Sequence, residues 1–201
     1  RSSGKMGYAI AKIARRRGAE VILITGQTHL PQPRNDIEVV EVVTACEMRD
    51  AVMEHYRACT VIIKAAAVAD FKCSTENCNK IKKKGDESTM LLELTKNPDI
   101  IGELGMLKEN RILVGFAAET ENLLENASEK LKKKNLDLII ANDVSKSDIG
   151  FGSDNNEVII IEVSGKTRHV PIMSKEEIAN IIFDSIKKII KKRKVVKDDW
   201  Y

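Results

Sequence analysis

The chain has 201 residues, 43% hydrophobic and 31% charged, a balance that excludes disordered, collagenous and membrane classes and fits one soluble globular domain. A domain of this size buries roughly 70% of the surface its unfolded chain exposes, so it needs neither disulfides nor structural metal. Net charge is only +3 and aromatic residues are 4%, which argues against a nucleic-acid partner that must be gripped by a broad basic face or by stacking.

Short β-branched runs alternate with segments of helical period, the pattern of helices laid on a mainly parallel sheet. The chain opens on a glycine-bearing turn at residues 1–7 that leads into a helix over 4–17, with Met6, Ile10, Ile13 and Ala14 on one face and Gly18 as its stop. Turns of this kind follow a strand, and here none precedes it, so the fold expected is a Rossmann-like three-layer α/β sheet whose first strand is missing. Strands are predicted over 20–25, 38–43, 60–64, 111–116 and 137–141, and helices over 45–57, 98–107 and 121–134. Thr44 with Glu47 makes a capping box, and Pro98 is placed at a first helical position. Residues 80–95 alternate weakly around Gly85 and Asp86, predicting a lysine-bearing hairpin flap off the main sheet. Strands over 157–163 and 167–172 form a C-terminal antiparallel hairpin, followed by a helix over 175–192. With no internal repeat and no linker, a single domain over 1–194 is expected, with 195–201 a frayed tail.

No apolar run approaches the ~20 residues of a bilayer span. The four cysteines, Cys46, Cys59, Cys73 and Cys78, form no C-x-x-C pair and follow no signal-like start, so they read as reduced thiols of a cytoplasmic protein. His29, His55 and His169 share no motif and read as non-catalytic.

In open α/β sheets ligands bind beyond the carboxyl ends of strands, which directs attention to four loops: 26–28, 65–70, 117–120 and 142–145. Small residues there let a ligand approach the backbone, although alanines also pack tightly under helices. Ser2, Ser3, Gly4, Lys5, Met6 and Gly7 are neither a Walker A loop nor a dinucleotide fingerprint, because the upstream glycine is missing and Met6 fills the hydroxyl slot. Anion binding at a helix start remains, beside the plain reading of a helix cap. Lys80, Lys82 and Lys84 would share one strand face, either facing a phosphate or merely solvated. Lys130 and Lys134 are four apart on one helix face, where they also suit the helix C-terminus electrostatically.

Taken in order, Ser2-Ser3-Gly4-Lys5-Met6-Gly7, Ala65-Ala66-Ala67-Val68-Ala69-Asp70, Lys80-Ile81-Lys82-Lys83, Asn97-Pro98-Asp99-Ile100, Gly115-Phe116-Ala117-Ala118-Glu119-Thr120, Lys134-Asn135-Leu136-Asp137 and Ala141-Asn142-Asp143-Val144-Ser145 resemble bacterial phosphopantothenoylcysteine synthetase, from residue 1 to about 192. The resemblance implies a magnesium-dependent homodimeric ligase of Rossmann-like fold. Its substrates would be CTP, 4'-phosphopantothenate and cysteine, joined through an acyl-cytidylate with release of pyrophosphate and CMP. It also implies a CTP site on Ala65, Ala66, Ala67, Asp70, Lys80, Pro98, Asp99, Ile100, Ile101, Phe116, Lys130 and Lys134, with Lys80 catalytic, Lys130 and Lys134 on the pyrophosphate, Asp70 on the ribose or the metal, and Ser2, Ser3 and Gly4 on a phosphate.

The chain departs from that family at Arg1, where a His is common, and at Lys64, where a small residue is frequent. The family's first strand and an Asn that holds the acyl-cytidylate would precede Arg1, and its flavin-dependent decarboxylase half is expected to be absent, so no flavin is expected. The alternative reading is a non-catalytic Rossmann-type nucleotide-binding module. A nicotinamide oxidoreductase is disfavoured because the glycine fingerprint and its acidic ribose partner are missing.

Overall fold

In the computed structural model, which describes residues 3–33, 36–75, 79–80, 89–119, 121–143 and 152–198, the first element is helix α1, Lys5–Arg16. Gly4 caps it at φ 78°, and a Cβ there would stand 2.8 Å from Thr28 Cγ2, so both backbone and space demand glycine. The parallel pair β1 (Ile22–Thr25) and β2 (Glu38–Glu41) follows as a two-stranded sheet of its own. Helix α2 (Ala45–His55) begins on the predicted cap: Thr44 Oγ1 accepts from the Glu47 N–H at 3.1 Å, and the Glu47 carboxylate accepts from Val43 N at 2.8 Å.

Beyond it lie β3 (Val61–Lys64), β4 (Phe71–Cys73), β5 (Leu94–Lys96), helix α3 (Ile100–Met106), β6 (Ile112–Glu119), helix α4 (Leu123–Lys133), β7 (Leu138–Asp143), β8 (Asn155–Glu162), β9 (Thr167–Ser174) and helix α5 (Lys175–Asp198). The main sheet runs β3-β6-β7-β8-β9, parallel across its first two ladders and antiparallel across the last two. Strand alternation sends Leu113, Ala117, Ile139, Ala141 and Ile161 to one face, under α2, α3 and α4. It sends Ile112, Val114, Leu138, Ile140, Val158 and Ile160 to the other, under α5, with Met6 of α1 packed alongside. Covering both faces is why β6 and β7 read as almost unbroken apolar runs. Each fully buried Leu or Ile contributes about 1.5–3 kcal/mol relative to exposure. Helix α1 is fastened to α5 by Ile10 and Ile13 against Ala179, and by Arg17 on Asp184 at 2.7 Å and Asn180 at 3.2 Å.

At the amino end of the sheet Asp137, 3% exposed, accepts from Leu113 N at 2.9 Å, pairs with Lys108 at 3.0 Å and takes the guanidinium of Arg193. Arg193 also donates to the Asn110 carbonyl at 2.9 Å and to that of Arg111 at 3.2 Å.

Several expectations need correction. The small antiparallel unit off the main sheet is built from β4 and β5, extended by Ser74 N to Glu93 O at 2.9 Å, so its first strand lies at Phe71, ahead of the hairpin expected over 80–95. Its expected turn at Gly85 and Asp86, with Lys82, Lys83 and Lys84, lies outside the described residues. Pro98 is not the first helical residue, because Asp99 takes the cap by accepting from Gly102 N at 3.1 Å. Ala117 to Glu119, and Asn142 with Asp143, are not loops: the β6–β7 ladder continues to Glu119 and Asp143. Finally, α5 does not stop at 192, because Arg193 is tethered to Asp137 and the backbone stays helical to Asp198. Residues 199–201 of the expected tail lie outside the described residues.

Candidate functional site

Lys64, Ala66, Asp70, Asp99, Lys130 and Lys134 gather at the carboxyl end of β3. Lys64 ends that strand opposite Gly115 of β6. Its ammonium donates to the Ala66 carbonyl at 3.1 Å, curling over the start of the small-residue loop 65–70. That loop is tied to the entry of α3 by Asn97, whose Nδ2 donates to Ala69 O at 2.8 Å and whose N–H donates to Asp70 O at 2.8 Å. From the opposite side α4 delivers two cations: Lys130 donates to the Phe116 carbonyl at 3.0 Å, and Lys134 pairs with Asp99. Their reach toward the carboxyl end follows from helix geometry, which tilts long side chains back toward the helix N-terminus. Asn126, Glu129, Lys130, Lys133 and Lys134 line a depression of about 310 Å³ on α4.

The electrostatics is uneven. Burial pulls the pKa of Lys64 below the ordinary lysine value, and the nearby Lys130 adds to this, while Asp99 and Asp70 oppose it. Burial pushes Asp99 up, but the hydrogen bonds from Lys134 and the Gly102 N–H outweigh it and hold the carboxyl below the usual aspartate range. The result is a notch with three ammonium groups and two carboxylates, suited to an anionic ligand.

Not every expected residue offers its side chain there. The Phe116 ring packs on the α1 side with Met6, Ile63 and Ala65, so what it presents to α4 is its carbonyl. Ile100 and Ile101, 2% and 5% exposed, are core. Pro98 is half-buried beside Asn97, Asp70 is exposed, and Ala67 is the exposed member of its triplet. Lys80 is exposed in the segment beyond β4, and no described contact joins it to Lys64, Lys130 or Lys134. Ser3 Oγ accepts from Lys5 N at 3.4 Å and Gly4 is the α1 cap, whereas Ser2 lies outside the described residues.

Three residues at this end escaped assignment from sequence. Lys64 has a signal in retrospect: a lysine directly after Val61, Ile62 and Ile63 must bring its charge to the end of a buried strand. Asn97 and Asn142 each hold a buried Oδ1 with no hydrogen-bond partner among the described residues. Asn142 is only 8% exposed and sits opposite Ala118. An orphaned buried acceptor costs about 1–3 kcal/mol, which marks both as candidates for a ligand donor.

Known proteins share this sequence and fold. The chain is 47% identical over 186 residues to the coenzyme A biosynthesis bifunctional protein CoaBC of Bacillus subtilis (strain 168), an alignment covering 92% of this chain and 45% of the relative. It is 45% identical over 189 residues to the protein of the same name in Escherichia coli (strain K12), covering 92% and 46%. The chain thus spans about half the length of these relatives. Among solved structures, the C-terminal domain of a coenzyme A biosynthesis bifunctional protein CoaBC superposes with a TM-score of 0.79 at 37% identity, over 95% of this chain and 85% of that one. A Cab2 mutant solved in complex with phosphopantothenate-cysteine shares the fold, with a TM-score of 0.75 at 18% identity, covering 98% and 81%. The profile of the DNA/pantothenate metabolism flavoprotein C-terminal domain matches residues 1–190, and the chain belongs to that family.

Proposed function

We propose that this chain is the phosphopantothenate–cysteine ligase unit of coenzyme A biosynthesis, working with CTP. The observation that carries the reading is that Lys64, bonded to Ala66 of the 65–70 loop, lies near Lys130 and Asp99, with Lys134 on Asp99, in a chain 47% identical to a relative named for coenzyme A biosynthesis. In the proposed reaction a carboxylate oxygen of 4'-phosphopantothenate attacks the α-phosphorus of CTP and pyrophosphate leaves. The cysteine amine then attacks the acyl carbon, losing a proton, and CMP departs. Phosphoryl transfer asks mainly for alignment and charge neutralisation. Lys80 would meet the charge growing on the α-phosphoryl oxygens, and Lys130 and Lys134 would hold the leaving pyrophosphate. To do so Lys130 would exchange the Phe116 carbonyl, and Lys134 the Asp99 carboxylate, for phosphate oxygens. Backbone groups of Ala65, Ala66 and Ala67 would read the cytosine edge. Ser2, Ser3 and Gly4 at the start of α1 would meet a phosphate.

Among the described residues no three His, Cys, Asp or Glu gather as a metal cage, and Asp99 is already taken by Lys134. The described residues therefore do not fit a resident metal, and magnesium is proposed to arrive on the triphosphate. A homodimer is proposed as well. Phe71, Met90, Leu91, Leu92 and Leu94, on and beside the β4–β5 arm, are 52–101% exposed, and a second copy would cover them.

The test is pyrophosphate release with CTP, with ATP or with neither, in the presence of phosphopantothenate and cysteine. It is run on this chain and on one carrying an N-terminal extension. CTP-dependent release abolished by Lys80→Gln, with unchanged melting, is expected. Thermal stabilisation by CTP with no pyrophosphate from either chain would instead make this a non-catalytic nucleotide-binding module. Equal use of ATP would refute the cytosine assignment.

A further inference from the structure

We propose that Lys64 is a further phosphate-binding residue of this site, clasping the polyphosphate of the nucleotide together with Lys130 between the ends of β3 and β6. The inference rests on the nucleotide reading above and adds to it a residue at which the chain departs from the family pattern.

The ladder fixes the geometry. Lys64 lies opposite Gly115, and Lys130 donates to the carbonyl of the next residue, Phe116, so the two ammonium groups converge on neighbouring strands one residue apart. Alternation along β3 places Lys64 on the same face as Ile62, the face covered by α3 and α4, from which Lys130 arrives. Each ammonium has three N–H donors, and each spends one on a backbone carbonyl, at 3.1 Å for Lys64 and 3.0 Å for Lys130. Neither forms an ion pair within 4 Å with a carboxylate among the described residues, since Asp99 is engaged by Lys134 and Asp70 is exposed.

Two half-buried cations side by side, with donors to spare, carry a free-energy cost that an anion would remove. A phosphate oxygen accepting from both would remove it. The opposing reading is structural: Lys64 merely props the Ala66 carbonyl, and its charge is incidental. The two readings differ in protonation. The groups facing Lys64 are Lys130 from α4, Asp99 from the start of α3 and Asp70 from its own loop. Burial and Lys130 depress its pKa in the free protein, so an arriving anion must raise it, and binding at alkaline pH must take up a proton.

The experiment is calorimetric titration of CTP, and separately of inorganic triphosphate, into the whole chain, in buffers of different ionisation enthalpy below the ordinary lysine range. Wild type is expected to bind both with proton uptake. Lys64→Met should bind both at least about tenfold more weakly, the loss of one charge-assisted hydrogen bond. It should show no uptake and should melt no lower than wild type, whereas Lys64→Arg should keep most of the affinity. Unchanged triphosphate affinity in Lys64→Met overturns the inference while leaving the nucleotide reading in place. Failure of wild type to bind either probe overturns both.

Discussion

Two helical glycines, Gly7 in α1 and Gly105 in α3, should answer the same substitution with opposite signs. Replacing a helix-interior glycine by alanine removes unfolded-state freedom and normally gains about 0.5–1 kcal/mol. At Gly7 an added Cβ meets nothing within 4 Å, so Gly7→Ala should realise that gain. At Gly105 the Cβ would collide with the carbonyl oxygen of Lys134 and stand 3.0 Å from its carbon. Neither partner yields easily. Asn135 Nδ2 clamps the Gly105 carbonyl at 2.9 Å, and Lys108 holds the Asn135 carbonyl at 2.9 Å. Overpacking of a fixed backbone costs about 3 kcal/mol, which leaves a net loss of about 2 kcal/mol. For a domain of this size, that lowers Tm by roughly 4–8 °C, while Gly7→Ala raises it by about 1–4 °C. Paired thermal melts followed by far-UV circular dichroism read both shifts. The same strain moves the C-terminus of α4, so Gly105→Ala should also weaken CTP binding through Lys134. If both variants melt above wild type, α3 does not approach the end of α4 this closely and the reasoning fails.

Asp137→Ala removes the shared partner of Lys108 and Arg193 and should cost about 3–5 kcal/mol, because a buried ammonium is left uncompensated; urea midpoints measure it, and a loss under about 1 kcal/mol would refute the fastening. Asn142→Ala relieves an acceptor that has no partner among the described residues but leaves a small cavity, and the two offset, so chemical denaturation should change by less than about 1 kcal/mol. If a substrate donor uses that Oδ1, pyrophosphate release should fall in the same variant, and unchanged release would retire Asn142 from the site. Thr44→Ala deletes the α2 cap and should cost about 1 kcal/mol, read as a shift in the urea midpoint. The Asp99–Lys134 pair gives a pH signature. The folded pKa of Asp99 is depressed, so its stabilisation is complete above the ordinary aspartate value of about 4 and fades as pH falls through the lowered one. Acid titration of Lys134→Met should therefore begin to unfold at higher pH than wild type, and coincident curves would exclude the linkage.

What the sequence disclosed follows which signals are local. Periodicity placed α1, α2 and α5 because Ile10, Ile13, Ile178 and Ile182 repeat on one face and Gly18 and Thr44 punctuate the ends. The strands of the main sheet were legible for a related reason: short apolar runs such as Val61, Ile62 and Ile63, or Leu138, Ile139 and Ile140, are too brief for a helix and too apolar for a loop. Strand ends are hard to read where small or polar residues continue a ladder, as Ala117, Ala118 and Asn142 do, because propensity fades there while pairing with a neighbour persists. The strand at Phe71 was invisible, since its three exposed residues have no period and owe their form to Leu94–Lys96 across the arm. At the site, residue type pointed to Lys130 and Lys134, but not to the convergence of Lys64 upon them, which depends on the β3–β6 register. Nor could sequence show that the Phe116 ring turns to the α1 side while its carbonyl faces α4.

The knot around Asp137 has a consequence for how the molecule tolerates change. It binds the last helix to the roots of β6 and β7, at the end of the sheet opposite Lys64. Cohesion and the proposed chemistry thus occupy different poles, and the pole of the candidate site is free to keep crowded charges and orphaned acceptors that would be ruinous at the other. Substitutions near Lys64 should therefore register first in ligand affinity, and those near Asp137 in survival of the fold.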